Sequence, residues 1–223
     1  MKRIASVFLL CAILIVSCSF VGCTSAEELP FRQEQTKFIA HRGLSSVYPD
    51  NTIESFTAAG GSDFFWGIET DVWYIGDTFY LSHDWPEYLF GLPTLEDYLP
   101  ICKSHGKTAV IDIKSNLTFK AVQDLLNLTA GYDVMFIDFK ENDLRMIKSL
   151  SPRAHVQLLS HDYWPANHDF DVSLDYPALT RGVVNNAKIK NKEIATWTVN
   201  SKEEAQAFVD IGVDYVTTDC IFF

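Results

Sequence analysis

Positive charge is what this chain has least of. Lysine and arginine number 18 against 29 aspartates and glutamates in 223 residues, a formal net charge of −11. That balance excludes a nucleic-acid binder, which needs a basic surface to displace counterions. Cysteine is also scarce. Of five, Cys11, Cys18 and Cys23 fall in the first 23 residues, leaving Cys102 and Cys220 as the one pair a bridge could join. Long apolar runs are missing too: the run from Ile4 to Val16 is shorter than the roughly 20 residues of a spanning helix. There is no internal repeat, low-complexity segment or second domain. Apolar residues make up 48% and aromatic residues 13%, enough for one sizeable core.

The first residues read as a leader. Lys2-Arg3 precede the apolar run, as in a secretory signal peptide. Its end resembles a bacterial lipoprotein signal, with Ile15-Val16-Ser17-Cys18 and Phe20-Val21-Gly22-Cys23 as competing sites. The small, polar, acidic stretch Thr24 to Glu28 favours Cys23. The expected organisation is a signal peptide over 1–23, a tether over 24–37 and a catalytic barrel over 38–223. The expectation is an exported bacterial protein of the cell envelope, held at a membrane by lipid rather than by a spanning helix.

From Phe38 onward, strand-like runs alternate with helix-like ones, which points to a parallel sheet. Nine strands are expected: 38–40, 67–73, 78–82, 109–114, 134–139, 155–159, 171–174, 194–199 and 215–218. Helices are expected over 52–59, 94–105, 118–128, 141–150 and 202–211. Thr94 and Ser201 read as N-caps, Ser201 with Glu204 as a capping box, and Gly106 and Gly212 as stops. The run 78–82 is one strand too many for eight, and folds back on its predecessor around Gly76-Asp77. The fold class is therefore α/β, a compact (β/α)8 barrel, with a doubly wound sheet as the alternative.

Chemistry concentrates between Phe38 and Asp84, at strand C-termini, where barrel enzymes carry their sites. His41 and His83 can exchange protons, and Arg42 can grip phosphate oxygens once a turn at Gly43 reorients it. Glu69 and Asp71, two apart on a strand, share a face. Asp112 would point at the barrel axis and complete an all-oxygen set suited to one hard cation, Ca²⁺ or Mg²⁺. Lys114 follows Asp112 at the same spacing. Asn51 reads as a residue that orients a histidine or the loop, and His105, His155, His161 and His168 as ordinary histidines.

These motifs together resemble the glycerophosphodiester phosphodiesterase family, whose TIM barrel is shared with phosphatidylinositol-specific phospholipases C. The residues that carry the likeness are His41-Arg42-Gly43, Pro49–Thr52, Glu69-x-Asp71-Val72, His83-Asp84, Leu92–Glu96, Ile111–Lys114, Trp197–Asn200 and Thr217-Thr218-Asp219. The resemblance implies His41 and His83 as acid and base, and Arg42 and Lys114 on the phosphate. It further implies Glu69, Asp71 and Asp112 on the metal, and Asn51 and Trp197 at the pocket. The implied reaction releases glycerol 3-phosphate and an alcohol from a small phosphodiester. The alternatives are a bulkier diester, such as a lysophospholipid or teichoic-acid fragment, and a non-catalytic phosphodiester-binding lipoprotein.

The chain departs from the family pattern at four places. Asp50 and Asp112 stand where glutamate is usual. The insert after His83-Asp84 shrinks to Trp85–Leu92, which leaves Trp85, Tyr88 and Phe90 as an aromatic rim. The last helix is lacking, so Ile221, Phe222 and Phe223 would be exposed unless they pack on the barrel or on a second copy in a homodimer.

Overall fold

The computed structural model describes residues 35–162 and 169–222. The leader with Cys18 and Cys23, His168 and Phe223 lie outside them. The described residues belong to one compact unit, Phe31–Phe223. Among them no helix is long and apolar enough to cross a membrane.

The order is β1 (Lys37–Ala40), α1 (Ile53–Gly60), β2 (Phe65–Ile75), β3 (Thr78–Leu81), α2 (Leu95–Ser104), β4 (Thr108–Ile113), α3 (Phe119–Leu128), β5 (Val134–Asp138) and α4 (Glu141–Leu150). It continues with β6 (His155–Ser160), β7 (Asp171–Asp175), α5 (Arg181–Ile189), β8 (Ile194–Trp197), α6 (Lys202–Ile211) and β9 (Tyr215–Thr218). The strands run β1-β9-β8-β7-β6-β5-β4-β2, and a β1–β2 pairing closes the ring. The result is an eight-stranded parallel barrel rather than an open doubly wound sheet. β3 stands outside the ring, antiparallel to β2 across Gly76-Asp77, whose φ angles of 57° and 65° suit a tight hairpin turn.

Alternation along the strands divides the core in two. Ile39, Val110, Met135, Ile137, Leu159, Ala195 and Tyr215 fill the barrel. Their strand neighbours, such as Phe38, Ile68, Ile111, Phe136 and Val172, face the helices. Thr52, Thr118, Thr180 and Ser201 cap α1, α3, α5 and α6, each oxygen accepting from the backbone N–H three residues on. Ser201 is a cap without the expected box: its hydroxyl donates to Glu203, and Glu204 supplies only its N–H. Gly212, at φ 84°, ends α6 as expected.

Two differences from the sequence reading concern helices. α5 was not expected, since Gly182, paired valines and Asn185-Asn186 are poor helix formers; burial of Val184 and Ala187 outweighs that preference. No helix follows β9 among the described residues, and the chain closes that gap itself. Phe222 is only 8% exposed and packs edge-on against Phe38 and Phe64, at ring separations of 6.1 and 5.8 Å. The apolar face that suggested a homodimer is thus covered from within. Cys102 and Cys220 are both free, so the one conceivable bridge is not formed.

Candidate active site

The turn after β1 delivers the first two groups. His41 continues the ladder, its N–H bonded to the Thr218 carbonyl, and its Nδ1 lies 2.7 Å from Asp219 Oδ1. Burial disfavours the Asp219 charge, but hydrogen bonds from His41, Asn200 and Ser45 win and hold the carboxyl down to about 2. An ionised carboxylate only accepts, so His41 Nδ1 carries the proton and Nε2 is the nitrogen left free. Arg42 then takes φ 57° and Gly43 φ 83°. A Cβ on Gly43 would sit 2.3 Å from Ser55 Oγ, so the reversal requires glycine. This turn swings Arg42 inward: Nη1 donates to Asp50 Oδ2 at 2.8 Å, and Nε lies 3.3 Å from Asp71 Oδ2 without hydrogen-bond alignment. The shortened acid at position 50 still reaches the guanidinium.

β2 and β4 supply the carboxylates. Asp71 and Asp112 are register partners, and Glu69 lies two residues earlier on the same face. All three are buried, and their oxygens approach within 4.8 Å of one another. Burial, then the neighbouring Asp71 and Asp112 charges, push the Glu69 carboxyl well above the ordinary range. Burial also raises Asp112, whereas at Asp71 it is outweighed by Lys114 and Asn51, which keep that carboxylate low. Lys114 Nζ bridges Asp71 Oδ1 at 2.9 Å and Asp112 Oδ2 at 2.6 Å. Asp112 Oδ1 is buried with no partner. An all-oxygen trio with an unsatisfied buried oxygen fits a hard divalent cation.

His83, beyond β3, stands at the mouth with Nδ1 3.0 Å from Asp84 Oδ1. These groups border a cavity of about 210 Å³, whose opposite wall includes Ile137, Phe139, Leu159, His161 and Trp197. His41, Arg42, Glu69, Asp71, His83, Asp112, Lys114 and Trp197, all named from the sequence, line this one cavity. Asn51 is the exception. At φ 56° it sits behind the carboxylates, donating to Asp71 Oδ2 at 2.9 Å and accepting from Thr70, so it orients Asp71 rather than lining the pocket.

Three participants escaped the sequence reading. His161, taken as ordinary, is stacked on Phe139 at 4.8 Å and lies 5.2 Å from Trp197 in the cavity wall. Phe139 is the second, and Asp219, quoted in a motif but given no role, is the third. All three directly follow a strand, β5, β6 and β9, and that position was the available signal. His105 and His155 do stay apart from the cavity; His155 pairs with Glu193 at 2.9 Å at the start of β6. Trp85 leans on Trp73, while Tyr88 and Phe90 project into solvent rather than over the pocket.

Comparisons with known proteins follow this geometry. The glycerophosphoryl diester phosphodiesterase family model matches residues 77–221. The match begins after Asp71, so His41, Arg42, Glu69 and Asp71 are placed by the barrel and not by that match. No curated protein matches the chain. Among solved structures, an Oleispira antarctica phosphodiesterase in complex with the product sn-glycerol-3-phosphate has a TM-score of 0.74 at 18% identity, covering 83% of this chain and 93% of its own. A glycerophosphodiester phosphodiesterase from Parabacteroides distasonis has a TM-score of 0.72 at 24% identity, with the same coverages. One from Thermotoga maritima has 0.67 at 21%, covering 84% and 96%. At such identities these likenesses speak for the fold, and the family match, spanning well over half the residues, speaks for descent: the chain belongs to the glycerophosphoryl diester phosphodiesterase family.

Proposed function

We propose that this phosphodiesterase hydrolyses glycerophosphodiesters to glycerol 3-phosphate and an alcohol by acid–base catalysis between His41 and His83, with one divalent ion, Ca²⁺ or Mg²⁺, on Glu69, Asp71 and Asp112. The observation that carries the reading is the one cavity in which the imidazoles of His41 and His83, with His161 in the wall, meet three buried carboxylates and two cations. The sn-glycerol-3-phosphate held by the Oleispira antarctica relative supports the product.

Arg42 and Lys114 would grip the non-bridging phosphate oxygens and take up charge as it develops there. Asp50 and Asp71 hold the guanidinium for that task. His41, its tautomer set by Asp219, presents Nε2 to the diester. One imidazole takes the proton of the attacking hydroxyl, from water or from the adjacent glycerol carbon. The other gives a proton to the alcohol oxygen as its bond to phosphorus breaks; where the glycerol hydroxyl attacks, water then opens the resulting cyclic phosphate to glycerol 3-phosphate. The ion, when bound, supplies Lewis-acid stabilisation of the phosphate charge. Export and lipid attachment at Cys23 or Cys18 complete the proposal, and the mass of the N-terminal peptide from membranes tests them.

The direct test incubates the chain from Thr24 with glycerophosphocholine and glycerophosphoethanolamine in Ca²⁺, in Mg²⁺ and in EDTA, and reads glycerol 3-phosphate. Release that needs the ion and is lost in His41→Ala is expected. Release undiminished by EDTA, or by His41→Ala, refutes the mechanism.

A further inference from the structure

Exposed apolar side chains are unevenly placed on this molecule. Among the described residues, ten of the twelve large hydrophobic side chains that stand exposed lie in the βα loops or at the helix starts that follow them. Only Leu150 and Ile189 lie at the opposite end, where helices finish. Parallel-barrel topology puts every loop that follows a ring strand at the catalytic end, and the loop after antiparallel β3 begins there too, because His83 lines the cavity. The loop between β3 and α2 is the extreme case. Trp85 is 61% exposed, Tyr88 80% and Phe90 102%, with Leu89 between them, and Val47 in the β1–α1 loop is 65% exposed. Isolated exposed hydrophobes are ordinary, but a cluster confined to one end marks an interaction surface.

We infer that the catalytic end of the barrel docks onto a zwitterionic lipid surface, and that Trp85–Phe90 is the segment that enters it. Charge narrows the occupant to lipid of that kind. The loop carries Asp84 and Glu87, and the chain as a whole has a net charge of −11. Of the described cations at this end, Arg42, Lys114, Lys120 and Lys140 are paired with carboxylates of the chain, and only Arg181 and Lys202, at the starts of α5 and α6, add to them against that net negative charge. Anionic headgroups would therefore be repelled, whereas Trp, Tyr, Leu and Phe suit the boundary between headgroup and acyl chain. Chain length agrees. The barrel's first strand starts at the end opposite the mouth, and Thr24 to Thr36 can extend about 45 Å, against roughly 20 Å for a six-residue strand. A lipid on Cys23 and the loop could thus share one membrane.

The inference stands on exposure and topology and does not depend on the reaction proposed above. Its test uses the chain from Thr24, free of the apolar leader, because the unit Phe31–Phe223 contains the closed sheet and both apolar clusters. Co-sedimentation with phosphatidylcholine vesicles, and quenching of tryptophan emission by brominated phosphatidylcholine, should both be seen, with little dependence on salt. Tyr88→Ser/Phe90→Ser should weaken partitioning at least about tenfold. Its melting temperature and its turnover of soluble glycerophosphocholine should stay unchanged. Phe90→Ser alone should act in the same direction, which covers a folding failure of the double variant. Absence of binding to phosphatidylcholine overturns the inference, as does binding equal in the variants. So does binding only to phosphatidylglycerol that salt abolishes, or a wild-type dimer in ultracentrifugation that the variants dissolve. Vesicle binding without turnover would refute the proposed reaction and leave the docking surface standing.

Discussion

Replacing Asp219 by asparagine removes the carboxylate that receives the His41 Nδ1–H while keeping its shape. An amide can offer either its oxygen or its NH₂ to the ring, so His41 loses the constraint that reserves Nε2 for the diester. Acid–base catalysis by a positioned imidazole is worth about 10²–10⁴ in rate, and kcat for glycerophosphocholine should fall by that order. Asp219 does not border the substrate cavity, so KM should change less than about threefold. Stability should move as well. The folded carboxyl sits at about 2, against an ordinary value of 3.8. Its contribution is full above 3.8 and disappears as pH falls through about 2. Screened by partial exposure, it amounts to about 1–2 kcal/mol. Urea melts should therefore show Asp219→Asn weaker by that amount at pH 7, with the gap narrowing below pH 4. If kcat stays within tenfold of wild type while His41→Ala abolishes turnover, the His41–Asp219 link is structural and the reasoning fails.

Three further outcomes follow from other contacts. Lys114→Ala leaves Asp71 and Asp112 without their bridging cation, costing about 3–5 kcal/mol; thermal melts should show the loss in EDTA and its recovery in Ca²⁺ or Mg²⁺. Burial pushes Asp138 up to about 7, so between pH 4 and 7 the folded state keeps a proton that the unfolded state gives up, and stability falls as pH rises. Asp138→Asn should therefore melt several degrees above wild type at pH 8 and level with it at pH 4. Phe222→Ala should cost about 3 kcal/mol in denaturant titration by opening the gap over Phe38 and Phe64, and a loss under about 1 kcal/mol would show that Phe222 does not close it.

Much of the barrel was legible because its signals are local. Strands apolar on both faces announced a buried parallel sheet, and Gly76-Asp77 announced the hairpin that accounts for the ninth strand. Asp112 was readable as a third member of the Glu69–Asp71 set because it follows apolar residues toward the C-terminal side of its strand. What escaped depends on the closed ring. α5 forms through burial of Val184 and Ala187, which its own residues do not advertise. The Asp219–His41 bond joins positions 178 apart in sequence, through the pairing of β1 with β9. His161 became a wall residue only when β6 and β8 turned toward one cavity. Asn51 was read as orienting a histidine or the loop and as a pocket residue, whereas the group it donates to is Asp71, a contact that follows from a left-handed backbone turn that no spacing rule reveals.

The seam between β1 and β9 also bears on the order of events in synthesis. His41, Arg42, Glu69 and Asp71 are translated early, yet the carboxylate that fixes His41 belongs to the segment just after β9. Until that segment emerges and pairs with β1, the groups proposed for the phosphodiester chemistry lack an oriented His41. Such a distant pairing makes ring closure the slow step of folding. Catalytic competence should then arrive in one late step, and fragments of the nascent chain should be inert toward every diester around them.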